Sequence, residues 1–170
     1  PGHVWLADAG PGSLETLTRG VLAAIAEADA IVYDALVDPA ILEHADGAEL
    51  HFAGKRGGKV SESQARINAL LVELARAGKR VLRLKGGDPF IFGRGGEEVQ
   101  HLHANGIPFR VLAGVTSAFG AAASAAIPTT MRGINKAVIL ATGHGCGEDE
   151  DLDWQALART GQPIIVYMGL

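Results

Sequence analysis

The stretch Arg83-Leu-Lys-Gly-Gly-Asp-Pro-Phe-Ile-Phe-Gly-Arg-Gly-Gly-Glu-Glu98 decides the fold class of this chain. Its first residues continue an apolar run that predicts a short buried strand from residue 80, and residues 97–104 predict the first turns of a helix. The glycines therefore fall where a strand ends, which is the edge at which open α/β sheets bind ligands. We expect a ligand cradle with Lys85, Asp88 and Arg94 as fixed charges at its rim. A plain connection between strand and helix is the alternative.

The composition is that of a globular protein of modest net charge. The chain has 170 residues, 48% of them apolar, with 23 glycines and a net charge of −4. The acidic balance argues against general nucleic-acid affinity, and the apolar runs are shorter than a membrane span requires. Cys146 is the one cysteine, so an internal disulfide is impossible, which fits a reducing compartment. We expect a cytoplasmic protein without a membrane or nucleic-acid partner.

Strand and helix signals alternate along the chain, which favours a parallel sheet. We predict an N-terminal α/β domain over residues 1–113 and an incomplete second α/β domain over residues 114–170. A second unit of two strands and two helices is thin for a domain, so we expect the chain to stop partway through it. The first domain is predicted to have strands at 3–6, 30–33, 49–53, 80–84 and 108–112, with helices at 14–28, 61–77 (Ser61 and Gln64 forming a capping box) and from 97. The second is predicted to have helices at 116–126 and around Trp154, with strands at 137–142 and 163–168.

Polar and glycine-rich groups follow each of the first five predicted strands. If these strands are parallel, all the groups meet at one edge of the sheet. Loops that only connect elements would not show this clustering. The groups are Asp8–Gly12, Asp34, 54–59, 85–94 and 114–117.

Two nucleotide-binding patterns are incomplete in this sequence. Gly10 and Gly12 precede a predicted helix, and Asp34 lies at a suitable distance for a ribose hydroxyl, but Glu15 stands where a dinucleotide fingerprint has its third glycine. A phosphate loop fails because Lys59 is followed by Val60. A metal site is also disfavoured, since His144-Gly-Cys146 has no evident further ligands.

Seven motifs in order along nearly the whole chain resemble the tetrapyrrole methylases, and most specifically the uroporphyrinogen-III C-methyltransferases. The central stretch quoted above, combined with Gly-Lys-Arg, is the most specific part. The motifs are Ala9-Gly-Pro-Gly12, Tyr33-Asp-Ala-Leu-Val37, Gly54-Lys-Arg-Gly57, Arg83–Glu98, Gly114-Val-Thr-Ser-Ala118, Ile127-Pro-Thr-Thr-Met-Arg-Gly133 and Tyr167-Met-Gly169.

The resemblance implies roles for individual residues. Asp34 and Lys55 match the positions of a proton acceptor and a proton donor. Arg56 joins the positively charged residues expected to meet substrate carboxylates, and Arg94 and Arg132 match motifs that face a tetrapyrrole. The positions implied to line a pocket for S-adenosylmethionine are Pro11, Gly86, Gly87, Asp88, Ile91, Thr116, Ser117 and Met168.

The implied activity is transfer of two successive methyl groups from S-adenosylmethionine to uroporphyrinogen III, which gives precorrin-2 for sirohaem or cobalamin synthesis and leaves S-adenosylhomocysteine. The resemblance also implies a homodimer. The chain departs from the family at Asp8, where glycine is usual, and family members continue beyond the Met168 motif. The open alternatives are another tetrapyrrole methylase, a truncated form that binds cofactor without turnover, and an NAD-dependent oxidoreductase in which Asp34 binds ribose.

Overall fold

A computed structural model describes residues 1–54, 63–143 and 151–169. The chain divides into two compact units, Pro1–Ser117 and Ala118–Leu170. The predicted division after residue 113 remains a prediction about domains.

The first unit is built on a five-stranded sheet in which every pairing is parallel. The strand order is β3-β2-β4-β1-β5, so β4 and β1 lie in the interior of the sheet. The predicted parallel α/β sheet is therefore confirmed. The strands are β1 (His3–Asp8), β2 (Ala30–Tyr33), β3 (Glu49–Phe52), β4 (Arg80–Lys85) and β5 (Phe109–Leu112).

Helices connect successive strands, as parallel pairing requires. A 3-10 turn (Leu14–Thr16) precedes the first of them. The helix that follows β4 begins at Gly95, two residues before the predicted start. The helices of the first unit are α1 (Arg19–Glu27), α2 (Pro39–Leu42), α3 (Gln64–Arg76) and α4 (Gly95–Ala104), and α5 (Ser117–Ser124) belongs to the second unit from its second residue on.

Short polar side chains begin three of these helices. The Thr18 hydroxyl accepts a hydrogen bond from the Val21 amide, and the Asp38 carboxylate accepts one from the Ala40 amide. The predicted capping box of α3 is wrong, because the N-cap of this helix is Ser63, whose hydroxyl accepts from the Arg66 amide. A serine next to Gln64 reaches the free amides of the first turn, which explains the later start.

Two apolar layers cover the two faces of the sheet. One contains Val4 and Val81 with residues of α3 and Leu102 of α4, and the other contains Ile31 and Leu82 with residues of α1. Successive side chains of a strand point to opposite faces. Arg83 and Lys85 of β4 therefore lie on the same face as Val81, at the end toward the glycine-rich loop.

The second unit has a two-stranded parallel sheet of β6 (Ile139–Thr142) and β7 (Ile164–Tyr167), with α6 (Trp154–Arg159) before β7. The Asp153 carboxylate caps α6 by accepting from the Ala156 amide. Many apolar side chains of this unit are exposed, among them Val166 of β7. Among the described helices, none is long and apolar enough to cross a membrane.

Candidate functional site

The carboxyl ends of the first unit's strands bring the predicted polar groups together. Asp8 ends β1 and is paired in register with Lys85 at the end of β4. Asp34 follows β2, which pairs with the other side of β4. The clustering predicted from the sequence is therefore confirmed for the described residues of this unit.

Three glycines bring separate loops into close contact at this edge. The Gly87 amide donates a hydrogen bond of 2.9 Å to the Gly10 carbonyl, and Gly87 has a φ of 89°, which favours glycine. A Cβ atom on Gly114 would collide with the Gly87 carbonyl oxygen. The loops after β1, β4 and β5 thus form one continuous backbone surface, which we call the glycine cradle (Gly10, Gly87 and Gly114).

The Asp88 carboxylate fastens this cradle. Its Oδ1 accepts from the Phe90 amide at 3.0 Å, and its Oδ2 accepts from the Gly114 amide at 3.1 Å. One side chain therefore fixes both the turn after β4 and the loop after β5. Asp88 can therefore affect ligand binding indirectly, because it fixes the backbone atoms that surround the ligand.

Asp8 lies beneath the cradle as a buried carboxyl group. It is fully buried, and neither carboxylate oxygen has a hydrogen-bond partner among the described residues. Its Oδ2 lies 4.0 Å from the point where a Cβ on Gly87 would stand. Burial raises the pKa of Asp8 to about 8, although the nearby Lys85 ammonium opposes the shift. The carboxyl group is consequently mostly protonated at neutral pH.

Lys85 is not at the rim of the loop, as the sequence predicted, but buried beneath it. Its ammonium donates to the Gly93 carbonyl and lies 3.6 Å from Oε2 of Glu98. Glu98 is fully buried and accepts from the Arg83 Nε at 3.0 Å. The predicted rim position fails because Lys85 faces α4, where a buried carboxylate offsets its charge. Burial still lowers the pKa of Lys85.

Arg94 sits at the other end of the glycine-rich loop as the N-cap residue of α4. Its φ of 58° is left-handed, and its guanidinium donates to both Glu97 carboxylate oxygens, at 2.9 and 2.7 Å. Both side chains are more than half exposed. The guanidinium is thus at the surface of the loop, where the sequence placed it, and it is held as a fork by a neighbouring carboxylate.

A comparison of the sequence with protein families identifies the chain. Residues 3–170 match the model of the family described as Tetrapyrrole (Corrin/Porphyrin) Methylases. The chain belongs to the tetrapyrrole methylases. The family resemblance inferred from the sequence motifs is therefore confirmed.

Curated proteins from several bacteria are similar in sequence to nearly the whole of this chain. The Siroheme synthase of Pseudomonas paraeruginosa is 52% identical over 170 residues, which are 99% of this chain and 37% of that protein. The Siroheme synthase of Nitrosospira multiformis is also 52% identical, with 36% of its length covered. The chain thus spans a little over a third of the length of these curated relatives.

Solved tetrapyrrole methylases have the same fold. A uroporphyrin-III C-methyltransferase from Thermus thermophilus, complexed with S-adenosylhomocysteine, is 38% identical with a TM-score of 0.81, covering 99% of this chain and 67% of that one. A cobalt precorrin-4 methyltransferase, CbiF, is 26% identical with a TM-score of 0.83, covering 98% and 68%.

The remaining residues that the resemblance assigned to a methylase site are found in different settings. Asp34 is half-buried, and its carboxylate accepts from the Leu36 amide at 3.0 Å. Of the assigned pocket residues in the first unit, Thr116 is buried, Gly86 and Ile91 are half-buried, and Pro11 and Ser117 are exposed.

The second unit holds two of the assigned residues, and two others fall outside the described residues. Arg132 is exposed in a turn of the second unit. Met168 follows β7, is 56% exposed and has a left-handed φ of 52°, which is uncommon for a residue with a side chain. Lys55 and Arg56 lie outside the described residues, so their predicted roles stay predictions.

Arg83 and Glu98 have a structural position that the sequence reasoning missed. They are the first and last residues of the stretch Arg83–Glu98. Strand alternation carried the signal, because Arg83 lies two residues from the buried Val81 and therefore shares its inward face. A charge at an inward position requires a buried partner of opposite sign.

Proposed function

We propose that this chain is part of an S-adenosylmethionine-dependent uroporphyrinogen-III C-methyltransferase, which makes precorrin-2 by two successive methyl transfers. The observation that carries the proposal is the glycine cradle at the carboxyl edge of a parallel sheet, in a chain 38% identical over 99% of its length to a methyltransferase complexed with S-adenosylhomocysteine. Siroheme synthases as relatives favour sirohaem synthesis as the pathway.

The residues of the cradle fit S-adenosylmethionine. Glycine backbone lets a ligand approach peptide groups closely, and the Gly87 position leaves space, since a Cβ there would meet nothing closer than 4.0 Å. The gap beside Gly87 therefore leaves room for a ligand against the backbone of the cradle.

Bound S-adenosylmethionine would supply an electrophilic methyl group on sulfur. We infer that the backbone of residues 86–88 and the Thr116–Ser117 segment orient it, because these segments border the cradle. Their contribution is alignment, since methyl transfer requires the attacking carbon and the methyl carbon to lie in line at about 3 to 3.5 Å.

Asp34 is proposed as the proton acceptor of the reaction. The Leu36 amide fixes one of its oxygens, so the carboxylate has a defined orientation at the sheet edge. Lys55 is proposed as the proton donor on the family resemblance alone. A carboxylate and an ammonium at one cleft would handle the protons that the methylated ring system loses and gains.

The substrate side of the proposal rests on cationic side chains. Uroporphyrinogen III carries many carboxylates, and Arg94 presents a planar fork that binds carboxylates through paired hydrogen bonds. In the structure the Arg94 guanidinium donates to both Glu97 carboxylate oxygens, so a substrate carboxylate would take the place of Glu97 on this fork. Arg56 and Arg132 are proposed to contact further carboxylates.

A substrate assay and a binding assay test the proposal together. Calorimetric titration should show S-adenosylhomocysteine binding and no NADH binding. Anaerobic incubation with uroporphyrinogen III and S-adenosylmethionine should give a product heavier by two CH2 units in mass spectrometry, because each transferred methyl group replaces a proton. Arg94→Lys should raise the tetrapyrrole KM by about tenfold, because paired hydrogen bonding is lost, and leave S-adenosylhomocysteine affinity unchanged.

Each failure of these assays has a defined meaning. Binding without turnover would support a cofactor-binding piece that depends on the rest of a longer protein. A product from a different tetrapyrrole would reassign the substrate within the family. NADH binding would support the oxidoreductase alternative, which the family membership disfavours.

We also propose a cytoplasmic homodimer. The second unit has exposed apolar side chains, including Ile127, Ile134 and Val166. Such side chains are typical of a surface that another subunit covers, which supports a dimer. Sedimentation of the chain should give a dimer. A monodisperse monomer with full activity would contradict this part of the proposal.

A further inference from the structure

The loop that carries Arg94 contains two residues in a conformation that side chains rarely adopt. Phe92 has a φ of 50° and Arg94 has a φ of 58°. Left-handed backbone at a residue with a side chain is strained and persists only where surrounding contacts impose it. Two such residues within three positions therefore require specific restraints.

The loop backbone supplies one restraint. The Gly95 amide donates to the Pro89 carbonyl at 3.1 Å, which closes the loop on itself. A Cβ on Gly95 would collide with that same carbonyl oxygen, so the closure depends on glycine. This contact joins the two ends of the loop.

A second contact holds the peptide group between Phe92 and Arg94 from below the loop. The Lys85 ammonium donates to the Gly93 carbonyl, which lies between the two left-handed residues. The Lys85 side chain is only 7% exposed, so its reach is directed by packing. A rotation of the Gly93 peptide would leave a buried ammonium without this acceptor, which is costly.

Lys85 is itself held in place by a buried carboxylate. Oε2 of Glu98 lies 3.6 Å from the Lys85 ammonium. Oε1 of Glu98 accepts from the Arg83 Nε at 3.0 Å and from the side-chain amide of Gln64 at 3.1 Å. These residues belong to α4, β4 and α3, so the position of the lysine is tied to three elements of the core.

We propose that Lys85 is the positioning residue for Arg94: its buried ammonium fixes the Gly93 carbonyl and thereby the left-handed backbone from which Arg94 presents its guanidinium to the substrate carboxylates, while Glu97 holds the guanidinium itself. The part about the substrate rests on the proposed function. The part about the loop does not, because it concerns only contacts within the first unit.

The test is Lys85→Met, which keeps an unbranched side chain and removes the ammonium. Amide hydrogen exchange of residues 91–95 should become about tenfold faster, and the tetrapyrrole dissociation constant should rise about tenfold, which corresponds to one lost hydrogen bond. S-adenosylhomocysteine affinity should change less than twofold, because the glycine cradle is fastened by Asp88. A purely structural role would weaken both ligands together.

Two further variants complete the design. Arg80→Met on the same strand removes an exposed cation and should leave the exchange of residues 91–95 and both affinities unchanged. If Lys85→Met does not fold, Lys85→Gln retains a donor for Glu98 but ends one atom short of the lysine ammonium, and it should give the same pattern.

The outcomes separate the two layers of the inference. Unchanged exchange of residues 91–95 in a folded Lys85 variant would overturn the proposal whatever the protein binds. Faster exchange with unchanged tetrapyrrole affinity would overturn the link from Lys85 to the substrate. If the unmodified chain bound no tetrapyrrole at all, the proposed function would fail while hydrogen exchange still decided the loop contact.

Discussion

The charged residues at the two ends of strand β4 differ in their exposure to solvent. At the amino end, Arg80 pairs with Asp29 through two side-chain hydrogen bonds, and both groups are exposed to solvent. At the carboxyl end, Arg83 and Lys85 are buried and share the single carboxylate of Glu98. One strand thus carries a well-solvated ion pair and a buried, incompletely paired cluster.

This difference separates stability from function. Surface ion pairs gain little and cost little, because water screens the charges. Buried charges cost desolvation that their partners only partly offset. The costly end of β4 is the end next to the glycine cradle, which is where we place the methyl-transfer site.

The largest effect should come from removing the shared carboxylate. Glu98→Ala leaves the Arg83 guanidinium and the Lys85 ammonium buried without the carboxylate that they share, and we expect it to lower the free energy of unfolding by about 3 to 5 kcal/mol. Urea denaturation at pH 7 measures this change. Glu97→Ala, one residue earlier and exposed, is the matched control and should change the stability far less. Equal losses in the two variants would contradict a special role for the buried cluster.

The second effect concerns pH and the buried Asp8 carboxyl. Its folded-state pKa of about 8 lies above the ordinary value of 3.8, so the folded chain binds this proton more tightly than the unfolded chain. The contribution to stability is therefore full below pH 4 and is lost as the pH rises toward 8. Between pH 6 and pH 8 this group should cost about 2 kcal/mol.

Asp8→Asn isolates that contribution, because the amide has the same shape and no charge. Thermal or urea unfolding measured from pH 5 to pH 9 should give a flatter profile for Asp8→Asn, with the difference between the proteins growing as the pH rises. Parallel profiles would mean that Asp8 is ionised in the folded protein at neutral pH, with a partner of opposite charge.

The fold could be predicted because the spacing of apolar residues along the sequence indicates where strands and helices lie. The five strands of the first unit and their order along the chain follow from apolar runs alternating with helical patterns, and the parallel arrangement follows from that alternation. The start of α3 was predicted wrongly, because Ser61 and Ser63 both precede Gln64 and only the structure shows which hydroxyl reaches a first-turn amide. Local sequence offers both choices, and tertiary packing decides.

The glycine-rich loops of the site could be predicted from the sequence, but the burial of its charged side chains could not. Glycines after strands revealed the cradle, since their spacing marks close approach of separate loops. The burial of Asp8 and Lys85 depends on which face of β1 and β4 they occupy and on Glu98 arriving from α4. Charged residues at loop ends are normally solvated, so the sequence placed Lys85 at the rim.

A smaller effect should follow from loosening the cradle. Asp88→Ala removes the acceptor for the Phe90 and Gly114 amides, which should cost about 1 kcal/mol of stability and weaken S-adenosylhomocysteine binding by about tenfold. Calorimetry and denaturation measure the two quantities. Asp38→Ala is the matched control, because it removes a similar side-chain cap at α2 and should leave the affinity unchanged. An unaltered affinity in Asp88→Ala would remove this residue from the site.

The smallest effect should be at the amino end of β4. Arg80→Met deletes an exposed guanidinium whose hydrogen bonds lower the pKa of Asp29 below its usual range. In the variant we expect that pKa, followed by carboxyl NMR during an acid titration, to rise toward its ordinary value, although the Arg80 amide still donates to Asp29. Because the pKa of Asp29 is lowered, the pair stabilises the fold at a pH above the ordinary pKa of an aspartate, and this contribution is lost as the pH falls. Solvent and salt screen an exposed pair, so the contribution is small. The unfolding free energy at pH 7 should therefore change less than in any variant at the carboxyl end. A loss as large as that of Glu98→Ala would show that the two ends of β4 do not differ in the way their burial indicates.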